Sequence, residues 1–142
     1  WDKVMDTNVK GVFFLTQKLL PLLRQSGTAE DPARVVNVGS IDGIKNPVFE
    51  TFSYGPSKAA LHHLTRGLAL HLTGQQIIVN AIAPGEVETD ILSVGTEELV
   101  KKIPLRRLGS PEEVAKTIFF LCSDESSYIS GEELQINGGQ HV

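Results

Sequence analysis

The stretch from Ser40 to Lys58, SIDGIKNPVFETFSYGPSK, decides how the rest of the chain is read. It follows a short apolar run, RVVNV at Arg34 to Val38, and leads into a segment with helical spacing. Gly43 and Asn46-Pro47 break the region between them, so the unit reads strand, loop, helix. Tyr54 and Lys58 lie four residues apart at the start of that helix, which stacks their side chains on one face. A free phenol has a pKa of about 10 and carries protons poorly near neutrality. An ammonium within a few Å favours the phenolate and lowers that value, making the pair a tuned acid/base. Ser40, fourteen positions before Tyr54, ends the apolar run and can point its hydroxyl into the same cleft. Taken alone, a Tyr and a Lys at this spacing are a packed aromatic beside a solvated lysine. The surrounding chain decides between the two.

Outward from this stretch, strands alternate with helices. Residues 2–25 read as one long helix whose apolar positions, Val9, Val12, Phe13, Leu19, Leu20 and Leu23, follow the 3–4 spacing. Phe14 and Leu15 widen that stripe almost all round, which predicts either a central core helix or a subunit interface. Strands are expected at 34–39, 76–83 and 133–136, and helices at 54–73, within 90–108 and at 111–123. Ser53 is the expected N-cap of the second helix, and Ser110-Pro-Glu-Glu113 reads as a capping box opening the last. Gly67, in mid-helix, reads as a close helix–helix approach or as simple tolerance. Three such strands predict an α/β fold with a parallel sheet. Pro84-Gly85 breaks the second strand at its carboxyl end, where open α/β sheets place their ligands.

The 142 residues suffice for one domain, and 41% hydrophobic with 21% charged residues is ordinary for a globular protein. A formal charge of −4 offers no basic footprint for nucleic acid. No apolar run approaches the ~20 residues that cross a bilayer, so no membrane partner is expected. Cys122 is the only cysteine; within TIFFLC it reads as a small buried hydrophobe, and the default compartment is the cytoplasm. His62, His63 and His71 read as surface or interface histidines rather than a metal site.

Five motifs then come in a fixed order. They are NVKG at Asn8 to Gly11, NVGS at Asn37 to Ser40, YGPSK at Tyr54 to Lys58, PGEVET at Pro84 to Thr89, and SGEELQINGG at Ser130 to Gly139. With these spacings the chain resembles the short-chain dehydrogenase/reductase family over essentially its whole length. The resemblance implies the C-terminal part of a doubly wound Rossmann-type domain. It also implies hydride transfer between NAD or NADP and a small-molecule carbonyl or secondary alcohol. Ser40 would bind the substrate oxygen, and Tyr54 would give or take the proton. Lys58 would lower the tyrosine pKa and hold the cofactor ribose. Asn8 would open its helix locally and complete a proton relay to the lysine. Pro84, Gly85, Val87 and Thr89 would face the nicotinamide, and the 90–108 region would be a substrate lid. Homodimers or homotetramers are expected, built on the helices at 2–25 and 54–73.

The wording SIDG and YGPSKAAL resembles the 3-oxoacyl-thioester reductase branch, though Asp42 stands where a small apolar residue is common. No glycine-rich cofactor turn occurs in the sequence. On this reading roughly 100 residues at ~30 per βα unit precede it, and the segment alone is inactive. Two rivals are an extended-type epimerase or dehydratase, against which the PGEVET and closing NGG segments argue, and a non-catalytic interaction module.

Overall fold

In the computed structural model of the chain, residues 1–46, 50–89 and 96–141 are described. Pro47 in the expected loop, and residues 90–95 of the expected lid, lie outside them. Strands β1 (Ala33–Val38), β2 (Ile77–Pro84) and β3 (Glu133–Ile136) form one parallel sheet in that order. The register runs from Ala33 opposite Ile77 to Val38 opposite Ile82, and from Ala81 opposite Glu133 to Pro84 opposite Ile136. β1 starts one residue before, and β2 one residue after, the place the sequence predicts.

Strand β2 is the centre of the molecule. Its residues from Ile77 to Ala83 are all buried, as expected of a strand paired on both edges and covered on both faces. Ala33 and Val35 of β1 share one face with Ile77 and Val79. There they meet Leu20 and Leu23 of α2 (Gly11–Ser26) and Leu68, Ala69 and Leu72 of α3 (Tyr54–Leu72). Alternation sends Arg34, Val36, Ile78 and Ile82 to the opposite face. On that side Arg34 bonds Asp124, 3.0 Å away in the turn after α5 (Pro111–Leu121), which packs against β1 and β2.

The helix expected at 2–25 is not continuous. It runs as α1 (Asp2–Met5), a π turn at Asp6–Lys10, and then α2. The Gly11 N–H reaches the Asp6 carbonyl five residues back, so the turn carries one extra residue. Thr16 is the buried residue of α2, while Leu15 and Leu22 are each about three-fifths exposed. The core-helix alternative therefore fails for this chain. The helix covers the sheet with one side and presents Phe14, Leu15 and Leu22 on its surface.

Two further expectations, on Ser53 and Cys122, are corrected, and of the two readings of Gly67 simple tolerance is the one that holds within the chain. Ser53 makes no side-chain cap bond; its backbone is already helical, and the Tyr54 and Gly55 N–H groups both reach Thr51 O, so the chain winds in from Thr51. Cys122 is exposed rather than buried, because α5 ends one residue before it and the chain turns at that point. A Cβ on Gly67 would meet nothing within 4 Å, so this glycine marks no close helix approach within the chain. The capping box at α5 forms as read: Glu113 N–H donates to Ser110 Oγ, and Ser110 N–H donates to the Glu113 carboxylate at 2.8 Å. The expected 90–108 helical stretch is α4 (Thr96–Lys102). Among the described residues, no helix is long and apolar enough to cross a membrane.

Candidate active site

The site is assembled where β1 ends, α3 begins and β2 ends. Beyond β1 the Gly39 N–H still bonds the Ile82 carbonyl, at 2.8 Å, so Ser40 is carried on backbone tied to the sheet. Ser40 is extended, and its Oγ accepts the Asp42 N–H at 3.1 Å, which caps the 3-10 turn Ile41–Gly43. The Ser40 side chain also lies close enough to the Tyr54 phenol, at the first position of α3, to pull its pKa down. The serine and the tyrosine predicted from the sequence are therefore brought together.

Lys58 lies one turn along α3, with Nζ 5.5 Å from the Tyr54 ring centroid. Its ammonium donates to the Val38 carbonyl at 2.8 Å, and burial pushes its pKa down. The expected tuning of the tyrosine does not appear in this geometry. Tyr54 is pushed above the ordinary phenol value, by burial first; the Ser40 hydrogen bond opposes that rise, while the charges of Asp42 and Glu86 add to it. The ammonium is turned to the Val38 carbonyl, and its charge is not among the influences that set the phenol's pKa.

Asn8 sits in the middle of the π turn, which packs against α3. Its amide donates to Ser57 Oγ at 3.0 Å, and Ser57 Oγ donates to the Tyr54 carbonyl at 2.7 Å. Asn8 thus grips the first turn of α3 beside Lys58 instead of bonding the ammonium itself. The helix opening expected from the family resemblance is present as the π turn.

At the end of β2, Gly85 N–H bonds the Ile136 carbonyl. A Cβ at Gly85 would lie 2.8 Å from Gln140 Oε1 and 3.0 Å from Asn137 Cα, so the closing strand approaches this turn too closely for a side chain. Val87 pairs with Gly109 in an isolated parallel bridge, and Thr89 is exposed. Glu86 was not singled out from the sequence, yet its carboxyl belongs to the same electrostatic group. Burial raises its pKa, Asp42 adds to the rise, and Lys45 opposes it. Asp42 is raised by burial against the pull of Lys45. Lys45 also donates to the Gln140 carbonyl at 3.0 Å, tying the loop after β1 to the chain end.

A cavity of about 330 Å³ opens on Glu86, Arg107, Glu113, Gln135 and Asn137. Ser40, Tyr54 and Lys58 do not line it. Their side chains lie at the strand ends, outside this cavity.

The profile of a family described as enoyl-(acyl carrier protein) reductase matches residues 1–141. The rhamnolipids biosynthesis 3-oxoacyl-[acyl-carrier-protein] reductase of Pseudomonas aeruginosa is 44% identical; the alignment covers 100% of this chain and 58% of that protein. Protein FixR of Bradyrhizobium diazoefficiens is 48% identical, with 100% and 50% covered. Among solved structures, the P. aeruginosa RhlG/NADP active-site complex superposes with a TM-score of 0.95 at 44% identity, covering 100% of this chain and 60% of that one. The chain belongs to the short-chain dehydrogenase/reductase family. A 4-hydroxyisoleucine dehydrogenase complexed with NADH is a further neighbour, at 30% identity and a TM-score of 0.85, with 98% and 58% covered. The chain spans about half to three-fifths of the length of these relatives.

Within this short-chain dehydrogenase/reductase segment the sequence misread one histidine. His62 is buried, 3% exposed, and not on the surface. Its Nδ1 lies 3.0 Å from a carboxylate oxygen of Glu133, 71 residues further along the chain, where no spacing rule could find it. The one available signal for His62 was its place on α3 one residue after the core residue Leu61.

Proposed function

We propose that the protein carrying this chain is a nicotinamide-dependent oxidoreductase interconverting a carbonyl and a secondary alcohol. The observation that carries this reading is the Ser40 hydroxyl set beside the Tyr54 phenol, close enough to lower its pKa, with Lys58 on the same face of α3. Tyr54, a phenol protonated at neutral pH whose pKa burial raises further, is the proton donor in reduction and the acceptor in oxidation. Ser40 donates to the substrate oxygen and steadies the charge that develops there. Asn8 holds the first turn of α3, and so the spacing of Tyr54 and Lys58, through Ser57.

The donor set fits the nicotinamide-ribose end of NAD or NADP. Lys58 commits one of its three N–H groups to Val38 and has others to offer ribose hydroxyls. Pro84, Gly85, Val87 and Thr89 would receive the ring; their position at and just after the carboxyl end of β2, where open α/β sheets bind ligands, supports this. The bound cofactor supplies the hydride. A 3-oxoacyl thioester is the substrate class we favour, on the strength of the P. aeruginosa relative and the SIDG and YGPSKAAL wording.

Replacing Lys58 by Ala in the full-length protein tests the function. Cofactor affinity and turnover are both expected to fall, because the ammonium serves the ribose and also holds, through the Val38 carbonyl, the strand end that carries Ser40. A normal cofactor dissociation constant would remove Lys58 from the site.

Asp42→Asn gives a second test, with a defined sign. The Asp42 charge raises the Tyr54 pKa, so its removal lowers that pKa. In alcohol oxidation the phenolate is the working form, and the rising limb of the pH–rate profile should move to lower pH. A shift to higher pH, or no shift, would mean that Tyr54 does not feel this carboxylate.

Assembly as a homodimer or homotetramer is part of the same reading. The outer side of α2 carries Phe14, Leu15 and Leu22, and α3 presents Leu70, 80% exposed. Apolar exposure of this kind, on two neighbouring helices, is suited to burial against a second copy. Light scattering on the full-length protein at micromolar concentration is expected to report a dimer or tetramer; a monomer would refute it.

A further inference from the structure

His62 is the buried titratable side chain that the reading above leaves without a role. Its imidazole is wedged between the two ends of the segment that carries Ser40. A Cβ at Gly39 would fall 1.9 Å from His62 Nε2, and one at Gly43 would fall 2.9 Å from Cε1. Nε2 accepts the Ser40 N–H at 3.3 Å. A ring nitrogen that accepts a hydrogen bond carries no proton, so in the neutral ring the proton is on Nδ1.

The other side of the ring agrees with that tautomer. Nδ1 stands 3.0 Å from Glu133 Oε2 on β3, although the oxygen lies out of line and leaves Nδ1 without an aligned acceptor. Arg66 holds the same carboxylate oxygen from α3, at 3.4 Å. Burial, with Arg66 and Lys58 adding positive charge nearby, pushes the His62 pKa down to about 4. The imidazole is therefore neutral at physiological pH, and its contact with Glu133 is a polar contact rather than an ion pair. A protonated ring would have no lone pair left for Ser40.

We propose that His62 is a positioning residue: its Nε2 lone pair fixes the Ser40 backbone N–H, and with it the Ser40 hydroxyl that meets the Tyr54 phenol, while Glu133 keeps the ring proton on Nδ1. The backbone of Ser40 lies just beyond β1, and Gly39 has no side chain to pack it in place. The imidazole, with the Gly39 N–H bond to Ile82, supplies the missing constraint. Three elements converge on this one ring: α3 carries it, β3 orients it through Glu133, and the end of β1 is held by it.

The proposal rests on the oxidoreductase reading for its effect on rate, so the test has two arms. In the first, His62→Gln and His62→Leu are compared in the full-length protein. Glutamine keeps an acceptor for the Ser40 N–H and an amide donor for Glu133; leucine fills the space and leaves the N–H unpaired. The Gln variant is expected to keep kcat within about threefold of wild type, and the Leu variant to lose about tenfold or more, both with cofactor affinity unchanged. A purely structural role predicts the opposite order, since leucine suits a dry pocket better. Equal kcat values, or a larger loss for Gln, would overturn the proposal.

The second arm reads the ring without turnover. A long-range proton–nitrogen correlation spectrum of the full-length protein should show His62 neutral at pH 7 with its proton on Nδ1. A proton on Nε2, or on both nitrogens, would overturn the proposal whether or not the protein reduces carbonyls. Failure of the oxidoreductase reading would instead leave this spectrum as expected and remove turnover from every variant and from the wild type alike.

Discussion

Tyr54→Phe in the full-length protein is expected to lower turnover by about 10²–10⁴-fold, the usual contribution of a positioned general acid or base. Cofactor affinity should stay near the wild-type value. The substitution keeps the ring that packs at the start of α3 and deletes the hydroxyl that Ser40 contacts. The phenol is only partly buried, at 36% exposure, and Ser40 Oγ keeps the Asp42 N–H, so the loss costs the fold little. Steady-state kinetics with a cofactor titration separates the two effects. A loss below tenfold would remove Tyr54 from the proton-transfer step and, with it, the main support for the proposed function.

Gly39→Ala is expected to damage both stability and rate. The added methyl would fall 1.9 Å from His62 Nε2 and 2.8 Å from the Ile82 carbonyl oxygen. The imidazole sits in a buried pocket and cannot swing away freely, and the carbonyl belongs to the central strand. Relief must come from moving the end of β1 off β2, which stretches the Gly39–Ile82 hydrogen bond. Overpacking of this kind costs about 1–3 kcal/mol, measurable by denaturant titration. Ser40 moves with the strand end, so kcat should fall alongside. Unchanged stability would show that the imidazole is not lodged against Gly39.

The errors in reading the sequence share a cause. Local spacing placed Ser53 as a cap, Cys122 in the core and His62 at the surface. In each case the deciding contact was not periodic: the Thr51 carbonyl, the end of α5, and Glu133 on the last strand. The expected effect of Lys58 on Tyr54 failed for a related reason. Spacing puts the two side chains on one face, but it cannot say that the ammonium turns to Val38 O. Nor can it bring Asp42 and Glu86, 44 positions apart, into the field of one phenol.

What the amino-acid sequence determined by itself was the order and type of the elements. Apolar runs of strand length, a capping box and breaker residues act within a few positions, and these signals located the sheet strands to within a residue. The family motifs, read in order, supplied the candidates Asn8, Ser40, Tyr54 and Lys58 and the turn from Pro84 to Thr89. Tertiary structure alone decided how those groups are poised. Protonation follows from desolvation and from charges met through space, and both depend on parallel pairing that joins residues far apart in the chain. The neutral His62 behind Ser40 is the clearest instance, since only the closing of β3 against β2 brings Glu133 to its ring.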